Sequence, residues 1–293
     1  MGRIKLGISL KSLGLPFRRS LPEARKLGVA AIELEAMGEL WPQNLTQTGR
    51  REILHLLRSH DLAVSALVCP LRRSLDVADD LEPRLEQIRL TMALAFDLGP
   101  RLVIMQPGRV PSSPPPGKDV PPSSHLLPPG EGSPPSPSLP PGEEPGVRVP
   151  DDPRAALMQE SLGALGRHGD RIGVTIALDT GLDSPESLVT YLSSFDVGSL
   201  AVNFNPANLV IGGHSPYDAV RTFHKRIATV HAQDARRISP NRMATVPLGH
   251  GDLDWMQLLA KFEEIEYRGP LTVLAENRAD LAPGVAFLRR FVP

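Results

Sequence analysis

From Ile4 onward the chain repeats one pattern: a short apolar run, a turn, then a longer amphipathic stretch. The runs are "IKLGISL" (4–10), "VAAIELEA" (29–36), "LAVSALVCP" (62–70), "RLVIMQP" (101–107), "GVTIALDT" (173–180), "GSLAVNFN" (198–205), "ATVHAQD" (228–234) and "GPLTVLAE" (269–276). Runs of this length, rich in Val, Ile, Leu and Ala, read as buried parallel strands, which need a helical crossover to bring the chain back. The intervening stretches carry helix signals. "SLPEARKLG" has Ser20 and Glu23 at capping-box spacing and Gly28 at the stop. Asp152 with Pro153, Ser215 with Pro216 and Asp218, and Asp254 before Trp255 mark further helix starts. Eight strands alternating with eight helices close most simply into an α/β fold, the (β/α)8 TIM barrel. A doubly wound open sheet is the other candidate, but no glycine-rich phosphate loop follows the first strand.

One stretch breaks the pattern. Residues 107–153 hold 17 of the 31 prolines. Proline removes backbone donors and fixes φ, and the stretch has few large apolar side chains to offset the entropy of ordering. Residues 108–152 are therefore expected to be a proline-rich, disordered or polyproline-like insertion after the fourth strand, within a single domain spanning 1–293.

Charge limits the partners. With 32 basic against 33 acidic residues and a net charge of −1, nothing favours nucleic acid or an anionic membrane. A polar small molecule fits better. A single cysteine, Cys69, allows no disulfide framework, and "MGRIKLGISLKSLG" lacks the apolar run of a signal peptide, so a soluble, cytoplasmic protein is expected.

In a barrel of this type the carboxyl ends of the strands converge on one mouth, where chemistry resides. The residues there are Glu35, Cys69, Gln106, Asp179, Asn205, His231 with Gln233 and Asp234, and Glu276. Two carboxylates, an imidazole and an amide from the last four strands suit a hard divalent cation. The alternative is that Asp or Asn at a strand end only caps the next turn. Gln106 is a candidate to hydrogen-bond a substrate hydroxyl. Glu33 and Glu35 alternate with apolar neighbours, so either both face the barrel or one is held in a buried ion pair. Cys69 has no evident base beside it and reads as a small buried residue.

"IALDTG", "VNFNPANLVIGG", "VHAQDARR", "VPLGHGDLDW" and "YRGPLTVLAEN", in this order and spacing, resemble the second half of the xylose isomerase-like TIM-barrel superfamily. That group contains sugar-phosphate isomerases and epimerases and the endonuclease IV branch. The resemblance implies a divalent metal (Mn, Co, Mg or Zn) held by Asp179, Asn205, His231 and Glu276. Asp179 and Glu276 would also move a proton beside the carbonyl of a sugar-like substrate. Asn208, Gln233, Asp234 and Arg237 fall where substrate contacts are expected, and Asn203 is read as satisfying backbone near the mouth. The chain departs from the family pattern at three ligand positions. It has "LDTG" for "LETG" and "NFNPANL" for "NFDPANL", and Leu274 stands where relatives carry the first glutamate of "GPLTIERE". A second reading is thus a barrel that keeps the fold and binds a polar molecule without a tight metal. The endonuclease branch ranks last, because the third strand ends in "ALVCP" with no histidine and no basic excess exists.

Overall fold

The computed structural model describes residues 4–111, 152–239 and 242–292. Most of the expected proline-rich insertion lies outside the described residues. Eight parallel strands form a closed barrel: β1 (Lys5–Ser9), β2 (Ala31–Glu35), β3 (Ala63–Val68), β4 (Leu102–Met105), β5 (Thr175–Asp179), β6 (Leu200–Phe204), β7 (Ile227–Ala232) and, after the short antiparallel pair β8 (Asp234–Ser239) and β9 (Arg242–Val246), β10 (Pro270–Val273). β10 pairs with both β7 and β1, which closes the ring. The helices are α1 (Phe17–Lys26), α2 (Gln47–Ser59), α3 (Leu81–Leu98), α4 (Pro153–Ile172), α5 (Pro185–Ser193), α6 (Pro206–Ile211), α7 (Pro216–Phe223), α8 (Trp255–Glu264) and α9 (Arg278–Leu288). No helix among the described residues is long and apolar enough to cross a membrane.

Local chemistry explains most boundaries. Asp152, Ser184, Ser215 and Asp254 each accept a backbone N–H from the first turn of the helix they precede. Gly173 ends α4 in the left-handed conformation that favours glycine. The expected capping box at Ser20 and Glu23 is not a cap. α1 begins at Phe17, so Ser20 lies inside it and donates to the carbonyls of Leu15 and Pro16, while Glu23 pairs with Lys26 and Arg278. The β8–β9 hairpin and α6 are additions to the expected alternation of eight strands and eight helices. Both are short, polar-edged insertions between barrel elements, and the barrel rhythm hides them.

The core has two parts, because alternate side chains of a strand point to opposite faces. Ile32, Leu34, Val103, Met105, Leu178, Val202, Phe204 and Val230 belong to the large cluster shared with the helices. Ala66, Leu102, Ile104 and Ala177 form a small separate cluster on the inner face. The two alanines among them, Ala66 and Ala177, leave room for polar side chains above them. The strand register slips by one residue at two places, between Ile32 and Glu33 against β3 and between Val202 and Asn203 against β7. Such bulges re-aim side chains, and both fall beside residues of the site.

Candidate functional site

Five polar side chains, four from strands β2, β5, β6 and β7 and one from α6, join inside the mouth. His231 Nε2 lies 2.6 Å from Glu33 Oε2, and His231 Nδ1 lies 2.8 Å from Asn203 Nδ2. Asn203 Nδ2 also donates to Asp179 Oδ1 at 2.9 Å, and Asn208 Nδ2 donates to Asp179 Oδ2 at 3.2 Å. The chain of contacts therefore runs Glu33, His231, Asn203, Asp179, Asn208, from β2 across to α6. Its floor is dry, with the side chains of His231 and Glu33 only 7% and 1% exposed and Asn203 fully buried. Its upper end opens outward, since Asp179 and Asn208 are half-buried.

Burial governs the electrostatics. It pushes the Asp179 carboxyl up to about 6, against the opposing pull of the His231 charge and the Asn203 hydrogen bond, with the Glu33 charge adding to the rise. For His231, burial disfavours the cation, yet the charge and hydrogen bond of Glu33, with the charge of Asp179, carry its pKa above the ordinary value. A second carboxyl at the mouth, Asp183, is also raised by burial while accepting the Val110 N–H at 3.1 Å. A carboxyl poised near neutrality and reachable from a mouth is suited to proton transfer.

The residues picked out by sequence divide into those the fold gathers and those it separates. Asp179 and His231 are gathered, with Asn203 between them. Asn205 is not. It sits just past β6 as the cap of α6, where its Oδ1 accepts the Asn208 N–H at 3.2 Å and its Nδ2 donates to Gln233 Oε1 at 3.2 Å. Glu276 lies on the exposed surface beyond β10 and accepts a hydrogen bond from Thr245 of β9. Asp234, expected to touch substrate, is 1% exposed and clamps backbone instead: it accepts from Ala235, Gly249 and Gly251. Arg237 is exposed on β8, its N–H bonded to Asp252 at 2.8 Å. Gln106 follows β4, half-buried at the mouth, and Asn208 joins the network directly. Cys69 is buried, with its thiol pushed up to about 11 by burial.

A divalent metal does not fit this arrangement. Both nitrogens of His231 face Glu33 and Asn203, the Asn205 oxygen caps a helix, and Glu276 faces the hairpin, which leaves Asp179 without a second ligand beside it. Among the described residues no three His, Cys, Asp or Glu side chains form a group that could hold a metal ion. Sequence reasoning missed Asn203 and left Glu33 open. The signal available for both was parity, since each shares its strand's inward face, but the register slips beside them are invisible in sequence.

A closed eight-stranded parallel barrel with helices between its strands is the architecture of the (β/α)8 class. The family model described as xylose isomerase-like TIM barrel matches residues 21–291, and the chain belongs to that family. Among solved structures, a xylose isomerase domain protein from Planctomyces limnophilus superposes with a TM-score of 0.75 at 21% identity, covering 99% of this chain and 96% of that one. A D-tagatose 3-epimerase-like protein gives 0.72 at 17% identity, covering 98% and 96%. A xylose isomerase-like TIM barrel protein from Mycobacterium smegmatis, solved in complex with magnesium, gives 0.68 at 18%, covering 99% and 96%. At these identities the likeness establishes the fold. No curated protein matches the chain in sequence.

Proposed function

We propose that the protein is a sugar or sugar-phosphate isomerase of the xylose isomerase-like kind, working at the barrel mouth by proton transfer next to a carbonyl, with Asp179 as the proton carrier. The observation that carries this reading is the Asp179 carboxyl itself, half-buried at the end of β5, raised to about 6 and held by two amide donors. In the ionised form one Asp179 oxygen takes the proton from the carbon beside the carbonyl. The C–H electron pair forms the C=C bond of an enediolate as the carbonyl π pair moves onto its oxygen; the proton of the adjacent hydroxyl passes to that oxygen, and the same carboxyl returns its proton to the former carbonyl carbon as the new C=O forms next to it. Gln106 and Asn208 are the amides available to hold substrate hydroxyls. Glu276 is turned to Thr245, Asp183 accepts the Val110 N–H and Glu33 is buried against His231, which leaves Asp179 as the carboxyl to carry the proton. A single carboxyl can shuttle a proton along one face, which is isomerisation; epimerisation needs a second group opposite.

The test is incubation with aldoses, ketoses and their phosphates in D2O, with and without Mn²⁺, followed by proton NMR. One deuterium should enter beside the carbonyl without added metal, and Asp179→Asn should abolish its entry. In parallel, calorimetric titration of metal-stripped protein with Mn²⁺ should show no micromolar binding. The second reading is a barrel that binds such a molecule without turnover. Leu274, an apolar side chain where relatives place a glutamate, favours it. Sugar binding by calorimetry with no deuterium incorporation would select that reading.

A further inference from the structure

We propose that Glu33 is a positioning residue that sets the tautomer of His231 and thereby the hydrogen-bonding face the mouth presents to its ligand. The inference rests on the isomerase reading only for its kinetic consequence; its spectroscopic core does not. Glu33 lies on β2, and two strands, β1 and β10, separate it from β7, which carries His231.

The argument starts from what each group can donate. An ionised Asp179 only accepts, so the Asn203 amide must turn its NH2 toward Asp179 Oδ1. The same NH2 faces His231 Nδ1, which must then be a bare acceptor. A neutral imidazole with Nδ1 bare carries its hydrogen on Nε2, and that nitrogen lies 2.6 Å from Glu33 Oε2. Every donor is thus directed by a carboxylate at either end. With Glu33 gone, the Nε2–H would be buried without an acceptor, a cost that offsets the one the alternative tautomer incurs by turning the Asn203 oxygen against the Asp179 carboxylate.

Two further observations agree. Asn203 Oδ1 is buried without a hydrogen-bond partner, so the amide holds this orientation at the cost of an unsatisfied oxygen, as expected if its neighbours impose it. The two one-residue register slips in the barrel fall at Glu33 and at Asn203, the two residues that flank His231 in the network.

The experiment is nitrogen NMR of protein labelled with ¹⁵N-histidine, with the His231 signals assigned by loss in His231→Gln. Wild type above neutral pH should show Nδ1 bare and Nε2 protonated. Glu33→Gln keeps an acceptor oxygen in place and should retain that tautomer; Glu33→Leu, of similar volume and apolar, should lose it to a mixture. On any substrate the protein turns over, Glu33→Leu should lower kcat roughly 10–100-fold with KM changed less than about twofold. An Nδ1–H tautomer in wild type, a ring protonated on both nitrogens throughout, or an unchanged tautomer in Glu33→Leu would overturn the proposal. Should Glu33→Leu fail to fold, Glu33→Ala, which also removes the acceptor, takes its place with the same expected and overturning outcomes. If no substrate is found, the isomerase reading fails while the tautomer assignment stands or falls on its own spectrum.

Discussion

Asp179 carries an inverted pH signature. Its folded pKa of about 6 stands above the ~3.9 of an unfolded aspartate, so the native state binds more protons between those values and gains stability as pH falls through them. His231 is also raised, and a raised imidazole contributes stability that is complete below its unfolded value of ~6.5 and is lost as pH rises through the folded one. The two act in the same direction. The urea midpoint should therefore increase from about pH 8 to about pH 5, where most proteins with paired carboxylates level off or decline. Asp179→Asn should flatten the part below pH ~6 and stabilise the neutral protein by about 1–3 kcal/mol, read by urea denaturation. A midpoint that falls between pH 8 and 5 in wild type would show that Asp179 is not a raised carboxyl. Of these residues, His231 and Asp179 were legible in sequence because motif and strand end coincide; Asn203 was not, because it shares its face with Asn205 and only the helix that Asn205 caps removes the latter from the site.

At the scale of elements, α6 decides what the mouth contains. Sequence reads "NFNPANLVIGG" as a strand that fades into amides, but Pro206 starts a helix and converts Asn205 from a ligand candidate into its cap. The same helix swings Asn208 onto Asp179. Its seat is a close approach between two motifs. Gly181 has φ +115, and a Cβ there would lie 2.5 Å from Asn208 Cβ, while one on Gly212 would lie 2.3 Å from the Gly181 carbonyl oxygen. Gly181→Ala should cost about 2–3 kcal/mol, from positive φ and overpacking together, and should weaken sugar binding by displacing Asn208. Thermal denaturation and calorimetry check the two effects separately; binding unchanged in a folded variant would mean Asn208 does not contact the ligand. The β8–β9 hairpin has a comparable effect, drawing Asp234 into its own turns and Glu276 onto Thr245.

At the scale of the whole molecule, the barrel closes without residues 112–151, since all eight strands of the ring lie among the described residues. The chain is fastened on both sides of that stretch, by Val110 on Asp183 before it and by the Asp152 cap and the Arg154–Asp76 ion pair after it. Replacing 112–151 with a short Gly/Ser bridge should leave a cooperative thermal transition within a few degrees of the parent; loss of the folded state would assign the insertion a structural part. The sequence by itself determined the barrel, because alternating apolar runs and capped amphipathic stretches are local signals repeated eight times, and it determined the family through motifs in fixed order. Only the tertiary structure decided the site. A polar residue's partners are chosen by strands far away in sequence, as with Glu33 and His231, and by one-residue slips in register that no local pattern records.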